Sequence, residues 1–164
     1  MSKASLMFGG NAPSVAAGIK RESSKMQPKM TIVELHDLIE QEFPQMNGQF
    51  EVIELHEDGL TMRMFINDSH LRPGGTVSGP SMFTLADCAF YLATLAMIGP
   101  QALTVTTSCA IDFMRKPAPG NLIGRARILK LGKLLSVGDV LVYSEGGDAP
   151  VARASVTYAI PPKG

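Results

Sequence analysis

The stretch from residue 81 to 98, SMFTLADCAFYLATLAMI, decides what this chain can fold into. It is almost wholly apolar, rich in Ala, Leu and Met, and contains one charged residue, Asp87. A helix that is apolar all round has to be enclosed rather than laid on a surface. The run is short for a membrane span and a carboxylate in mid-bilayer is costly, so the core helix of a soluble domain fits it better. Pro80 suits the first turn of that helix, and Gly99-Pro100 ends it.

The rest of the sequence supplies a wrapper. Residues 50–56 and 60–67 read as strands joined by a tight turn at Glu57-Asp58-Gly59, and a Pro/Gly-rich loop spans 70–80. Residues 103–115, 122–131, 134–144 and 151–160 read as four further strands, separated by turns containing Pro119-Gly120, Gly132-Lys133 and Gly146-Gly147-Asp148. Ahead of all of them, Thr31 and Glu34 have capping-box spacing. Val33, Leu35, Leu38, Ile39 and Phe43 form an apolar stripe, which predicts an amphipathic outer helix ending before Pro44. An antiparallel sheet wrapped around one long central helix, an α+β fold, is the economical way to cover the helix. A length of 164 residues and 45% hydrophobic content suffice for one such domain, placed at 30–164. Residues 1–29 are Gly/Ser/Ala/Lys-rich and aperiodic, and are expected to be a disordered extension without the apolar run of a secretory signal.

Fifteen basic and fifteen acidic residues cancel, which excludes a globally basic nucleic-acid binder. The zero hides a segregation. Residues 30–70 hold one base and nine acids, whereas 71–133 hold seven bases and two acids. Cys88 and Cys109 have no CxxC partner, which suits buried thiols in a reducing, cytoplasmic setting. No spacing of His, Cys or carboxylates suggests a metal site.

A lone carboxylate in an enclosed helix costs several kcal/mol unless it finds a partner or a task, so Asp87 leads the functional candidates. The alternative is a helix face meeting solvent or a second subunit. Gly79, at the other end, can present a bare backbone N–H beside the positive pole of the helix, the arrangement of an oxyanion hole; alternatively it is a plain turn glycine. Eight residues of helix separate the two by about 12 Å. An oxyanion donor and a base or nucleophile must both lie within roughly 3 Å of one reacting group. If both act, a two-fold dimer has to set Gly79 of one chain against Asp87 of the other, giving two shared sites.

The segments HLRPGGTVSGPSMFTLADCAFYLA and TTSCAIDFMRKPAPG resemble the hotdog-fold acyl-CoA thioesterases of the phenylacetate-degradation type, over roughly residues 31–161. The resemblance implies hydrolysis of an acyl-CoA to a free acid and CoA. No separate cofactor is implied, because the CoA moiety belongs to the substrate. It implies that the Gly79 N–H polarises the thioester carbonyl and that Asp87 of the partner subunit attacks it or activates water. A Ser/Thr on the following strand that orients the water or the acid falls on Thr106, or on Thr107 if the register differs by one. It further implies a homodimer, extended in many relatives to a homotetramer. Two positions depart from the pattern: Ser78 stands where many members have His, and Arg72 where they have Asn. Ser78 retains a hydroxyl donor, and Arg72 can meet a carboxylate or phosphate or remain a solvated loop cation. Arg115 and Lys116, with Lys130 and Lys133, are candidates for a cationic rim facing the CoA phosphates, or ordinary solvated charges.

Other residues carry less. His70 invites comparison with hotdog dehydratases, but the position fourteen residues on, where their acid would sit, is Thr84. His36 and His56 read as surface residues and Cys88 as an inert thiol. Met82, Phe83, Phe90 and Tyr91 line either an acyl pocket or plain core. The competing functional class is a hotdog module that binds acyl-CoA or a related ligand without turnover, motivated by Ser78 and Arg72.

Overall fold

The computed structural model describes residues 26–162. Helix α1 (Ile32–Glu42) opens on the expected capping box: Thr31 Oγ1 accepts from the Glu34 N–H, and the Glu34 carboxylate accepts from the Thr31 N–H at 2.7 Å. Leu35 and Leu38 are buried, but Val33 is exposed, so the apolar face is narrower than the stripe suggested. At about 100° per residue, Val33 projects roughly 200° around the helix from Leu35, on the solvent side.

Strands β1 (Phe50–His56) and β2 (Gly59–Met64) follow, then a 3-10 turn at Asp68–His70 and two very short strands, β3 (Leu71–Arg72) and β4 (Thr76–Val77). This ladder inside the expected loop turns through Gly74 and Gly75, both at positive φ, which glycine adopts without steric cost. Two residues per strand are too few to show a sequence period. The long helix α2 (Gly79–Ile98) comes next, then β5 (Val105–Phe113), β6 (Leu122–Leu131), β7 (Leu135–Ser144) and β8 (Ala152–Ala159). Six strands form one antiparallel sheet in the order β1-β2-β6-β7-β8-β5.

Alternate residues of the sheet face α2: Leu122, Gly124, Ala126 and Ile128 on β6, Val140 and Val142 on β7, and Ala152, Ala154, Val156 and Tyr158 on β8 are all buried. Thirteen of the twenty residues of α2 are buried against them. The result is a helix rolled in an antiparallel sheet, the hotdog architecture expected. Close approach depends on glycines under the helix. A Cβ on Gly124 would lie 3.0 Å from Leu85, and one on Gly138 would lie 2.4 Å from the Phe90 ring and 2.1 Å from the Arg127 carbonyl oxygen. Inside this packing, Thr94 Oγ1 donates to Ser136 Oγ at 2.9 Å and pins α2 to β7.

Most of the expected N-terminal extension, residues 1–25, lies outside the described residues. The last part does not behave as an extension: the Lys29 N–H donates to the Ala96 carbonyl at 2.7 Å, and Met26 packs on the core. The packed domain therefore includes residues ahead of Met30.

Because neither backbone nor ring can yield easily at Gly138, Gly138→Ala is expected to destabilise the fold by about 3 kcal/mol. Urea denaturation followed by circular dichroism measures this, and an unchanged midpoint would contradict the close approach of Phe90.

Candidate active site

Asp87 projects from the middle of α2 towards β8 and β5. Thr106 Oγ1 donates to its Oδ1 at 2.8 Å, and the Tyr158 hydroxyl lies 2.8 Å from the same Oδ1 and 3.1 Å from the Asp87 carbonyl oxygen. The carboxylate is the stronger acceptor, so the single phenolic proton goes there. Thr106 and Tyr158 are direct cross-strand partners on β5 and β8, which puts both side chains on one face and one carboxylate within reach of both. A β-bulge between Thr106 and Ser108 sends Thr107 elsewhere, where its Oγ1 donates to the Thr157 carbonyl at 3.2 Å. The threonine that meets Asp87 is thus Thr106. Among the described residues, Asp87 Oδ2 has no hydrogen-bonding partner.

Asp87 borders a cavity of about 320 Å³. Its walls come from α1 and the turn after it (Ile39, Phe43, Met46), from β1 and β2 (Phe50, Met62), and from Tyr91, Leu92, Thr104 and Tyr158. The outer helix therefore forms one side of the cavity. Phe43 and Tyr91 meet edge to face at 5.6 Å, and the Tyr91 hydroxyl donates to the Ala102 carbonyl at 3.1 Å.

Gly79 opens onto a different groove, about 560 Å³, which it shares with Arg72, Arg115, Lys116, Met82 and Phe113. As the first residue of α2, Gly79 has an N–H with no intrahelical acceptor. Arg72, Arg115 and Lys116 are exposed, so their charge is available to an anion in the groove. Arg115 is partly committed, since its Nη1 donates to the Pro150 carbonyl at 2.8 Å.

Ser78 is the N-cap of α2, and its hydroxyl belongs to that cap. Its Oγ accepts from the Ser81 N–H and lies 2.8 Å from Ser81 Oγ, which itself donates to the His70 carbonyl at 3.1 Å. With the Ser81 proton on His70, the Ser78 proton is the one between the two serines, and none is left for a substrate. Lys133 lines another groove, about 720 Å³, beside Lys29 and Leu134, and Lys130 is exposed; neither borders the Gly79 groove. The expected four-residue cationic rim therefore divides.

The aromatic and Met candidates divide as well. Met82 borders the Gly79 groove and Tyr91 the Asp87 cavity, Phe90 is fully buried, and Phe83 is exposed. His36 and His56 are not simply solvated. His36 Nε2 accepts from the Val52 N–H at 2.9 Å, tying α1 to β1, and His56 Nε2 lies 2.8 Å from Thr61 Oγ1. His70 Nδ1 accepts from the Asn67 N–H at 3.0 Å and serves the local turn. The residue missed by sequence reasoning is Tyr158. Period-two alternation placed it on a strand, but nothing local marks which inward residue reaches a carboxylate on the helix.

Residues 74–151 match the thioesterase superfamily. The chain is 51% identical to a candidate thioesterase of known crystal structure from Silicibacter sp., covering 84% of this chain and 96% of that one with a TM-score of 0.78. The phenylacetic acid degradation protein PaaI of Thermus thermophilus is 29% identical, with 72% and 99% of the two chains covered and a TM-score of 0.62. Zebrafish thioesterase superfamily member 2, at 19% identity over 80% and 99% of the chains, has a TM-score of 0.70 and shares the fold. A comparison with the curated proteins returned no significant match. The chain belongs to the thioesterase superfamily, whose general chemistry is thioester hydrolysis.

Burial governs ionisation around Asp87. It pushes the Cys88 thiol up from 9.0 to about 12, with the Asp87 charge adding to the effect, and it pushes the Tyr91 phenol from 10.0 to about 12. The Tyr158 phenol is pushed up further, chiefly by burial, and stays protonated. In each case the neutral form is favoured in the folded state, so the associated stability is present below the unfolded value and is lost as pH rises towards the folded one. Unfolding is therefore expected to become easier between pH 9 and 12. A thiol-reactive reagent at pH 8 should label Cys88 far more slowly in the native protein than in denaturant; equal rates would contradict the burial.

Proposed function

We propose that the protein hydrolyses acyl-CoA thioesters at two sites shared across a homodimer. The observation that carries this reading is the division of labour along α2. An Asp87 carboxylate held by two hydroxyl donors borders an apolar cavity, and eight residues away a free helix N-terminus at Gly79 opens onto a groove lined by three cations. The cavity suits an acyl group, and Arg72, Arg115 and Lys116 suit the phosphates of CoA. PaaI, whose name ties it to phenylacetic acid degradation, supports a relation to that type of thioesterase.

An edge strand supports the dimer. Among the described residues β5 has one sheet neighbour, β8, and it carries exposed apolar Val105 and Phe113, followed by exposed Met114. A second copy of the chain paired along this edge would satisfy its backbone and cover these side chains. Pairing of dimers into a tetramer is part of the same proposal, as is a reducing, cytoplasmic setting for the unpaired thiols Cys88 and Cys109.

In the reaction, the Asp87 carboxylate takes a proton from water as the water oxygen bonds to the thioester carbon, or attacks that carbon directly. The carbonyl electron pair moves to oxygen and is stabilised by the Gly79 N–H of the other chain. Collapse of the tetrahedral centre breaks the C–S bond and the CoA thiolate leaves, taking the proton held by Asp87 on the water route, which restores the carboxylate, or a proton from solvent on the direct route. On the direct route, water then hydrolyses the Asp87 anhydride and regenerates the carboxylate.

A panel of short, medium and aryl acyl-CoAs, with release of free CoA as the signal, is expected to identify a substrate, and Asp87→Ala to lower its turnover by at least about a hundredfold. Turnover that survives Asp87→Ala would refute the mechanism. Binding without turnover would favour the non-catalytic module, a reading that the commitment of the Ser78 hydroxyl to the helix cap also supports. Sharing of sites has its own test. Inactive Asp87→Ala and inactive Gly79→Val, co-refolded in equal amounts, should regain about a quarter of wild-type activity, because half of the dimers would each hold one intact site. No recovery would argue against shared sites.

A further inference from the structure

Asp87 carries two equivalent oxygens on a side chain free to rotate, yet attack or proton abstraction needs one oxygen aimed at the reacting centre. Both donors that reach this carboxylate, Thr106 Oγ1 and the Tyr158 hydroxyl, converge on Oδ1 at 2.8 Å each. Oδ2 is left unsatisfied by the described residues. We propose that Tyr158 is a positioning residue: with Thr106 it clamps Oδ1, so that Oδ2 is the oxygen presented to the thioester or to water. The inference rests on the hydrolase reading above.

Tyr158 is built for a fixed donor. It is 3% exposed, and its ring sits 5.9 Å from Phe90 and 5.8 Å from Tyr91, so the position of its hydroxyl is set by packing. The backbone of β8 holds it between β7 and β5, directly opposite Thr106. That hydroxyl gives its one proton to Asp87 Oδ1 and lies 3.1 Å from the Asp87 carbonyl oxygen. Phenylalanine would fill the same space against Phe90 and Tyr91, so packing does not explain the phenol. The hydroxyl also costs free energy to bury and is retained where it meets a carboxylate. Two donors of different reach on adjacent strands fix both where Oδ1 lies and how the carboxylate plane is turned. A single threonine hydroxyl would leave that plane free to rotate about one hydrogen bond.

The test compares wild type, Tyr158→Phe, Thr106→Val and the double variant in steady-state hydrolysis of the best acyl-CoA, together with melting temperatures and a crystal structure of Tyr158→Phe. Loss of a hydrogen bond to a charged group should lower kcat of Tyr158→Phe by about tenfold to a hundredfold while KM changes by less than about threefold. The two single effects should not multiply independently in the double variant, because both act through one oxygen. The crystal structure should show the Asp87 carboxylate rotated or split between orientations in an otherwise unchanged fold. Unchanged kcat, or a loss confined to KM, would overturn the proposal. A wild type that turns over no acyl-CoA would defeat the hydrolase reading instead, and the crystal structure then decides: an Asp87 carboxylate that keeps its orientation without the phenol overturns the positioning role.

Discussion

Enclosure of α2 is the constraint from which the rest of the structure follows. A helix with leucine, phenylalanine or alanine on every side gains about 1.5–3 kcal/mol for each large side chain removed from water, but only if every side is covered. One layer of helices would leave a flank open, whereas a curled antiparallel sheet covers most of the circumference in one element. The curl brings backbone against side chain, which is why Gly124 faces Leu85 and Gly138 faces Phe90 with no room for a methyl group. α1 closes part of what the sheet leaves, with Leu35 and Leu38 turned inward.

Asp87 is tolerable in this helix because the sheet meets it with hydroxyl groups rather than hydrocarbon. Thr106 and Tyr158 satisfy one oxygen, and the cavity borders the carboxylate. The candidate site is thereby distributed along a rigid rod: a carboxylate in its middle beside an apolar cavity, and an open N–H at its start beside a cationic groove. Rigidity of the helix keeps these two apart within one chain. The same rigidity makes them complementary halves when two copies associate in the proposed dimer.

Much of the architecture was legible in particular residues. The unbroken apolar run of 81–98, the Thr31/Glu34 capping box and the alternation along 122–131 each have a period that local geometry enforces, and each appears at its expected place. Val33 was misjudged because an apolar residue near a stripe need not lie on it, and β3 and β4 were missed because two-residue strands have no period. In the site, Asp87 stood out because a charge in an apolar helix contradicts its surroundings, whereas Gly79, by itself an ordinary turn glycine, gained meaning only through its spacing from Asp87. Arg72, Arg115 and Lys116 could be named but not grouped, and Lys130 and Lys133, named with them, turned out to lie apart.

The sequence by itself determined that a long helix must be largely buried, that strands must do the covering, and that the one carboxylate on that helix needs a partner, a task or an open face. These outcomes depend on side-chain chemistry and on spacing within a few residues, which the linear order contains. Only the tertiary structure decided which groups meet that carboxylate. The bulge after Thr106 turns Thr107 away, and the register of β5 against β8 sets Tyr158 beside Thr106 and under Asp87, 71 residues from it along the chain. Strand register is fixed by the packing of whole faces, not by any residue's own preference, so a partner of this kind emerges when the sheet closes around the helix.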